Sequence, residues 1–190
     1  MKNKRIALLL ALLTICVVFL TGCDSIINDE GTNELSDLKA VTNAVANNEG
    51  YSSHTNSEGI SFSCPTNWIS AGEGEMLFFI APDTTGTSVN LLGEKIGSMI
   101  SLSGYVEIAK TKLPESMDIT SEIQQEEINL NGRKAYVLTY TMKEQDVDMT
   151  IKQEVIKVDE TVYILTVGTI TDYYAEQEET LNNVLSSLTK

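Results

Sequence analysis

Ile128-Asn129-Leu130-Asn131-Gly132-Arg133-Lys134-Ala135-Tyr136-Val137-Leu138-Thr139-Tyr140 reads as two β-strands joined by a two-residue turn. Asn131-Gly132 suits a type I′ turn, whose central residues both need a positive φ that Asn and Gly tolerate. Strands are therefore expected over residues 119–130 and 133–142, followed by two more over 147–158 and 161–170 around Asp159-Glu160. In residues 136–140 and 162–167 both alternating faces are largely apolar or aromatic, which predicts strands covered on both sides.

Working toward the N-terminus, residues 59–64 form a short strand interrupted by Pro65 and followed by Trp68. Residues 76–81 and 87–92 are apolar, β-prone runs separated by Pro82-Asp83-Thr84-Thr85-Gly86. Phe78 and Phe79 point to opposite faces of the first run, so one is partly exposed if the sheet is covered on a single side. Leu102, Tyr105, Val106, Ala109 and Leu113 then recur at helical spacing, with Ser101 placed to cap the helix and Pro114 to stop it. Toward the C-terminus a second amphipathic helix begins near Thr171 or Asp172. Leu181, Val184, Leu185 and Leu188 make its stripe, and Glu176, Glu178 and Glu179 lie early, where the helix dipole favours negative charge. Two helices and a largely antiparallel β-sheet make an α+β fold, with a helix layer expected on each sheet face. Residues 58–190 compose this one domain, which is of ordinary size.

Residues 23–57 read as a flexible tether rich in Asn, Ser, Thr and acids. Leu35, Leu38, Val41 and Val45 fall at near-helical spacing, compatible with a marginal helix. Before the tether, Lys2, Lys4 and Arg5 precede an apolar run ending at Leu20, the pattern of a signal peptide over residues 1–22. As a helix this run of about 15 residues reaches roughly 22 Å, short of the ~30 Å hydrocarbon core. Leu20-Thr21-Gly22-Cys23 resembles the lipobox of bacterial lipoproteins. The resemblance implies cleavage between Gly22 and Cys23 and a diacylglyceryl thioether on Cys23. Two acyl chains anchor a protein stably where one does not, at ~0.8 kcal/mol per buried methylene. The expected location is the extracytoplasmic face of the cell membrane, reached through lipid on Cys23.

The chain has 13 basic and 27 acidic residues, a formal charge of −14. Loss of residues 1–22 removes three bases and no acids, leaving −17. Such a charge opposes nucleic-acid binding and flat contact with an anionic leaflet. Of the three cysteines, Cys16 lies in the cleaved segment and Cys23 carries lipid, so Cys64 is left alone and no intramolecular disulfide is expected. Cys64 has no basic neighbour to stabilise a thiolate and reads as a buried, inert thiol. The single histidine, His54, falls in the tether, which argues against a Ser-His-Asp triad and a His/Cys zinc site. Glu126-Glu127, Asp146 with Asp148, and Glu176 with Glu178-Glu179 read as solvated acids, and the sequence contains no D-x-D-x-D-G calcium loop. No catalytic residue, metal or cofactor is therefore expected. Trp68, as a cover over one core edge, and Tyr173 and Tyr174, with one packed and the other exposed, are the candidate contact surface.

The order of these motifs resembles the PsbP-like family and the related DcrB-like envelope proteins. The resemblance is carried by Gly59-Ile60-Ser61-Phe62-Ser63-Cys64-Pro65 with Trp68, the helix after Ser101, residues 128–136, the strand from Tyr163 to Thr169, and the closing Leu185-Ser186-Ser187-Leu188. It implies an antiparallel sheet between helices, an α/β/α sandwich, and a non-catalytic role in docking onto a larger complex. The expected function is a lipid-anchored extracytoplasmic accessory module for another cell-envelope protein. A small-ligand or cation-binding envelope module is the alternative.

Overall fold

The Asn131-Gly132 turn forms as its composition requires, with φ of 52° and 82°. Gly132 N–H donates to Asn129 Oδ1 at 2.8 Å, and the flanking residues Leu130 and Arg133 pair. The computed structural model describes residues 40–41, 50–72 and 76–190. Its strands are β1 (Ala40–Val41), β2 (Tyr51–Thr55), β3 (Ser61–Pro65), β4 (Ile69–Ser70), β5 (Leu77–Ile80), β6 (Ser88–Lys95), β7 (Asp118–Ile119), β8 (Gln124–Leu130), β9 (Arg133–Glu144), β10 (Val147–Val158) and β11 (Thr161–Ile170). Helix α1 (Leu102–Ser116) lies between β6 and β7, and α2 (Tyr174–Ser186) follows β11 through a 3₁₀ turn, Thr171–Tyr173.

Among the described residues nine strands form one sheet in the order β1-β8-β9-β10-β11-β6-β5-β4, with β7 also on β9. All its pairings are antiparallel except the short parallel contact of β1 with Asn129 and Leu130. Strands β2 and β3 form a separate hairpin. One sheet face packs on α1 through Phe78, Leu138, Tyr140, Ile151, Val155 and Val162. The other packs on α2 and the β2–β3 hairpin through Phe79, Val89, Leu91, Ile156, Leu165 and Val167. The fold is α+β, a largely antiparallel sheet with a helix on each face. The five residues that recur at helical spacing are the buried stripe of α1, and Ser101 Oγ caps it by accepting from Gly104 N–H at 3.0 Å.

Several expectations are corrected. The folded region starts before Glu58, because Tyr51–Thr55 pairs residue for residue with β3. His54 therefore sits in a strand and not in the tether. Val41 belongs to a two-residue strand on β8 rather than to a helix; isolated short helices are marginal in water, whereas a strand end offers backbone partners. The single strand expected over residues 119–130 is split. Ile119 pairs with Met142 and Gln124 with Thr139, so four residues bulge against two on β9. Thr120 N–H donates to Thr141 O, and Ser121 Oγ accepts from Thr141 N–H, both at 2.9 Å, which satisfies the backbone across the bulge. Pro114 lies inside α1, which continues to Ser116 and closes with Met117 N–H on Leu113 O at 3.0 Å. So near the end, proline forfeits little of the helix ladder. Phe78 and Phe79 do take opposite faces, but both are buried because both faces are covered. Strand β11 is covered on both sides over Val162–Val167, whereas Val137 and Thr139 of β9 are only half-buried. Residues 1–22, Cys23 and most of the tether lie outside the described residues.

Candidate functional site

Pro65 ends β3, and the chain turns back with Trp68 N–H donating to Pro65 O at 3.0 Å. This seats Trp68, half-buried, against the α2-side layer. Ile69 follows on β4 at 58% exposure, an apolar side chain in water at the sheet edge. Tyr173 closes the 3₁₀ turn and Tyr174 opens α2. Both are half-buried, so the division into one packed and one exposed ring does not hold. Tyr174 packs on the α2-side layer, and its hydroxyl donates to Glu178 Oε1 at 3.2 Å. Burial and the Glu178 carboxylate both raise its pKa.

Register places the three aromatics relative to one another. Ile69 pairs with Ile80, Ile80 with Ser88, and Ser88 with Gly168, so Trp68 lies at the end of the sheet where β11 gives way to Thr171. β4 and β11 are three strand spacings apart, roughly 14 Å at ~4.8 Å per spacing. Trp68 with Ile69 therefore occupies one corner of this rim and Tyr173 with Tyr174 the other. Between them runs the 82–87 loop, held by hydroxyls: Thr85 Oγ1 donates to Asp83 Oδ1 at 2.5 Å, and the Thr87 and Thr169 hydroxyls meet at 2.9 Å. Ile170 N–H donates to Thr85 O at 3.0 Å and ties the loop to β11. Gly22 and Cys23, the expected cleavage and lipidation residues, lie outside the described residues.

The reactive residue types are used for packing. Cys64 is fully buried, and burial pushes its thiol up to about 12. The His54 ring stacks 4.0 Å from Phe79 and 5.9 Å from Phe62, its Nε2 lies 3.0 Å from Ser52 Oγ, and burial lowers its pKa. Glu127 bonds Lys134 and the Tyr136 hydroxyl, each at 2.8 Å, and the Lys134 bond leads the lowering of its carboxyl pKa. Asp148 lies 3.9 Å from Lys143. Among the described residues no three His, Cys, Asp or Glu side chains form a metal-binding group, and no helix is long and apolar enough to cross a membrane.

Two buried carboxyls escaped the sequence reading. Glu94 Oε2 accepts from Tyr105 Oη at 2.6 Å while Oε1 has no partner among the described residues; burial raises its pKa against that bond. Glu154 is 1% exposed, its Oε1 likewise lacks a partner, and burial raises its pKa to about 8 despite Lys152. Alternation along residues 147–158 assigns Glu154 to the face of Lys152, which looks solvent-facing until α2 is placed over it. The apolar Val155 and Ile156 beside it were the available signal.

Comparison with known proteins adds three findings. A family model described as PsbP matches residues 49–190. No curated protein matches the chain by sequence. Among solved structures, cyanobacterial PsbP (CyanoP) from Synechocystis sp. PCC 6803 is 16% identical with a TM-score of 0.56, over 82% of this chain and 98% of that one. A protein of unknown function, PA94, from Pseudomonas aeruginosa is 16% identical at 0.55, over 74% and 96%. LpqN, involved in cell envelope biogenesis of Mycobacterium tuberculosis, is 14% identical at 0.52, over 73% and 89%. At these identities the likeness is one of fold.

Proposed function

Because the chain belongs to the PsbP family, we propose that it is a lipid-anchored, non-catalytic accessory module that binds another cell-envelope protein outside the cytoplasm. The observation that carries this reading is the pairing of Leu20-Thr21-Gly22-Cys23 with a domain whose only His and unlipidated Cys are spent on packing. The involvement of LpqN in cell envelope biogenesis supports the setting. Lipid on Cys23 supplies the membrane attachment, and the rim of Trp68, Ile69, Tyr173 and Tyr174 supplies the contact. Apolar and aromatic side chains on a rigid rim suit recognition, since little ordering entropy is lost on docking.

Cross-linking in intact membranes followed by affinity recovery tests the reading. It should return one stoichiometric envelope protein, and Ile69→Asp should abolish its recovery while leaving the fold intact, because Ile69 is mostly solvated. Repeated recovery of no partner, or recovery indifferent to Ile69→Asp, Tyr173→Ser and Tyr174→Ser alike, defeats the assignment of this rim.

A further inference from the structure

Helix α2 and the β2–β3 hairpin are joined to each other as firmly as to the sheet beneath them. Ser187 Oγ accepts from Ser63 N–H at 2.7 Å, and Ser61 and Thr189 exchange two backbone bonds of 2.8 and 2.9 Å. Toward the sheet the contacts are apolar, through Leu181, Val184 and Leu185, plus one polar bond from Lys152 Nζ to Asn182 Oδ1 at 2.6 Å. Into this dry layer β10 inserts Glu154, almost fully buried and with one carboxyl oxygen unpartnered among the described residues.

We propose that Glu154 is a proton-dependent latch for this layer: with its carboxyl protonated, α2 and the β2–β3 hairpin stay seated on the sheet, and deprotonation lets them lift together while β6 and β9–β11 remain paired. A buried neutral carboxyl is tolerable, whereas a buried carboxylate needs partners it does not have here. On its own strand the neighbouring same-face groups are Lys152, which favours the charged form, and the apolar Ile156. Across the strands lie Val137 of β9 and Leu165 of β11, with Glu126 of β8 exposed at the end of that row. On α2, Glu176, Glu178 and Glu179 are solvent-exposed and the Tyr174 hydroxyl is bonded to Glu178. From the hairpin come the buried Phe62 and Cys64, the thiol raised to about 12, and His54, whose pKa is lowered. Neither Cys64 nor His54 therefore titrates between pH 7 and about 9. Burial lifts the Glu154 carboxyl from 4.5 to about 8 when the layer is closed. Lifting the layer restores the ordinary value, so opening releases a proton. The open population therefore rises about tenfold per pH unit until about pH 8, then levels.

Hydrogen exchange on the full chain, read by mass spectrometry between pH 5.5 and 9 and corrected for intrinsic exchange, tests the latch. Between pH 7, above which His54 stays neutral, and pH 8 protection of α2 and β2–β3 should fall about tenfold, while β9–β11 keep theirs, and Glu154→Gln should flatten the dependence. Equal slopes in wild type and Glu154→Gln, or simultaneous loss of protection in α2 and β9–β11, overturns the proposal. Should Glu154→Gln fail to fold, carboxyl-carbon NMR of the wild-type chain decides instead. A Glu154 midpoint near 8 that tracks α2 opening supports the latch, and a midpoint in the ordinary carboxylate range refutes it.

Discussion

At the scale of single residues, burial decides behaviour more than chemistry does. Cys64 should react with a thiol reagent only as fast as the domain opens, at least about 100-fold slower than in denaturant, given its raised pKa and lack of exposure. Rapid native-state modification of Cys64 would count against its assignment to the core. Gly93 pairs with Tyr163, and a Cβ there would lie 3.0 Å from the tyrosine ring. That ring is held in turn by its hydroxyl's bond to Glu58, with the phenol pushed up to about 12 by burial and by the carboxylate. Gly93 itself is exposed, so Gly93→Ala should cost only about 1 kcal/mol in chemical denaturation, for displacing the ring edge. Glu154 links global stability to pH as well. Its folded pKa exceeds its unfolded value, so its own contribution to stability is full below about 4.5 and is lost, on the order of a few kcal/mol, as pH climbs to about 8. Glu154→Gln should remove that slope, leaving the variant more stable than wild type at pH 8 in urea titrations. Cys64 could be read from the sequence because it ends a strand and has no basic neighbour. Glu154 and His54 could not, since what covers or stacks on them comes from elements distant in the chain.

At the scale of elements, local signals were reliable where they sufficed and silent where a partner was needed. The stripe and cap of α1 and two of the three two-residue hairpin turns were visible, because helix period, Ser101, Asn131-Gly132 and Asp159-Glu160 act within a few residues, whereas the Gln145-Asp146 turn was not. Ser101→Ala should cost about 1 kcal/mol, the typical value of an N-cap, measured as a shift in thermal midpoint. The two-residue excess that separates β7 from β8 was not visible, as it exists only relative to β9. Strand β2 was hidden for a similar reason: Tyr-Ser-Ser-His-Thr is polar enough to pass for tether, and only pairing with β3 makes it a strand. Its clasp to α2 is testable. Ser187→Ala leaves Ser63 N–H without its acceptor, a loss of about 1–3 kcal/mol that should appear first as faster exchange in β3.

At the scale of the whole molecule, the proposed anchoring and the folding fall to different parts. If lipid on Cys23 does the anchoring, Cys23→Ala should move the protein to the soluble fraction with an unchanged circular dichroism spectrum. Raising salt should not release the wild type, because a chain of −14, or −17 once residues 1–22 are removed, gains nothing from an anionic surface. A Cys23→Ala protein that stayed with the membrane after signal cleavage would refute that division. The α+β class and helix-covered sheet were legible from periodicity alone, whereas the rim joining Trp68 to Tyr173 needed the strand order β4-β5-β6-β11. One further consequence concerns time rather than space. Ser61 is hydrogen-bonded to Thr189, more than a hundred residues later in the chain, and β6 closes onto β11 across all the intervening elements. Chains are made N-terminus first, so the β2–β3 hairpin must wait for Thr189 to emerge before these bonds can seat it. Seating of this hairpin is thereby deferred until residues 187–189 are available, and protease resistance of β2–β3 should arise only in nascent chains that extend past Thr189.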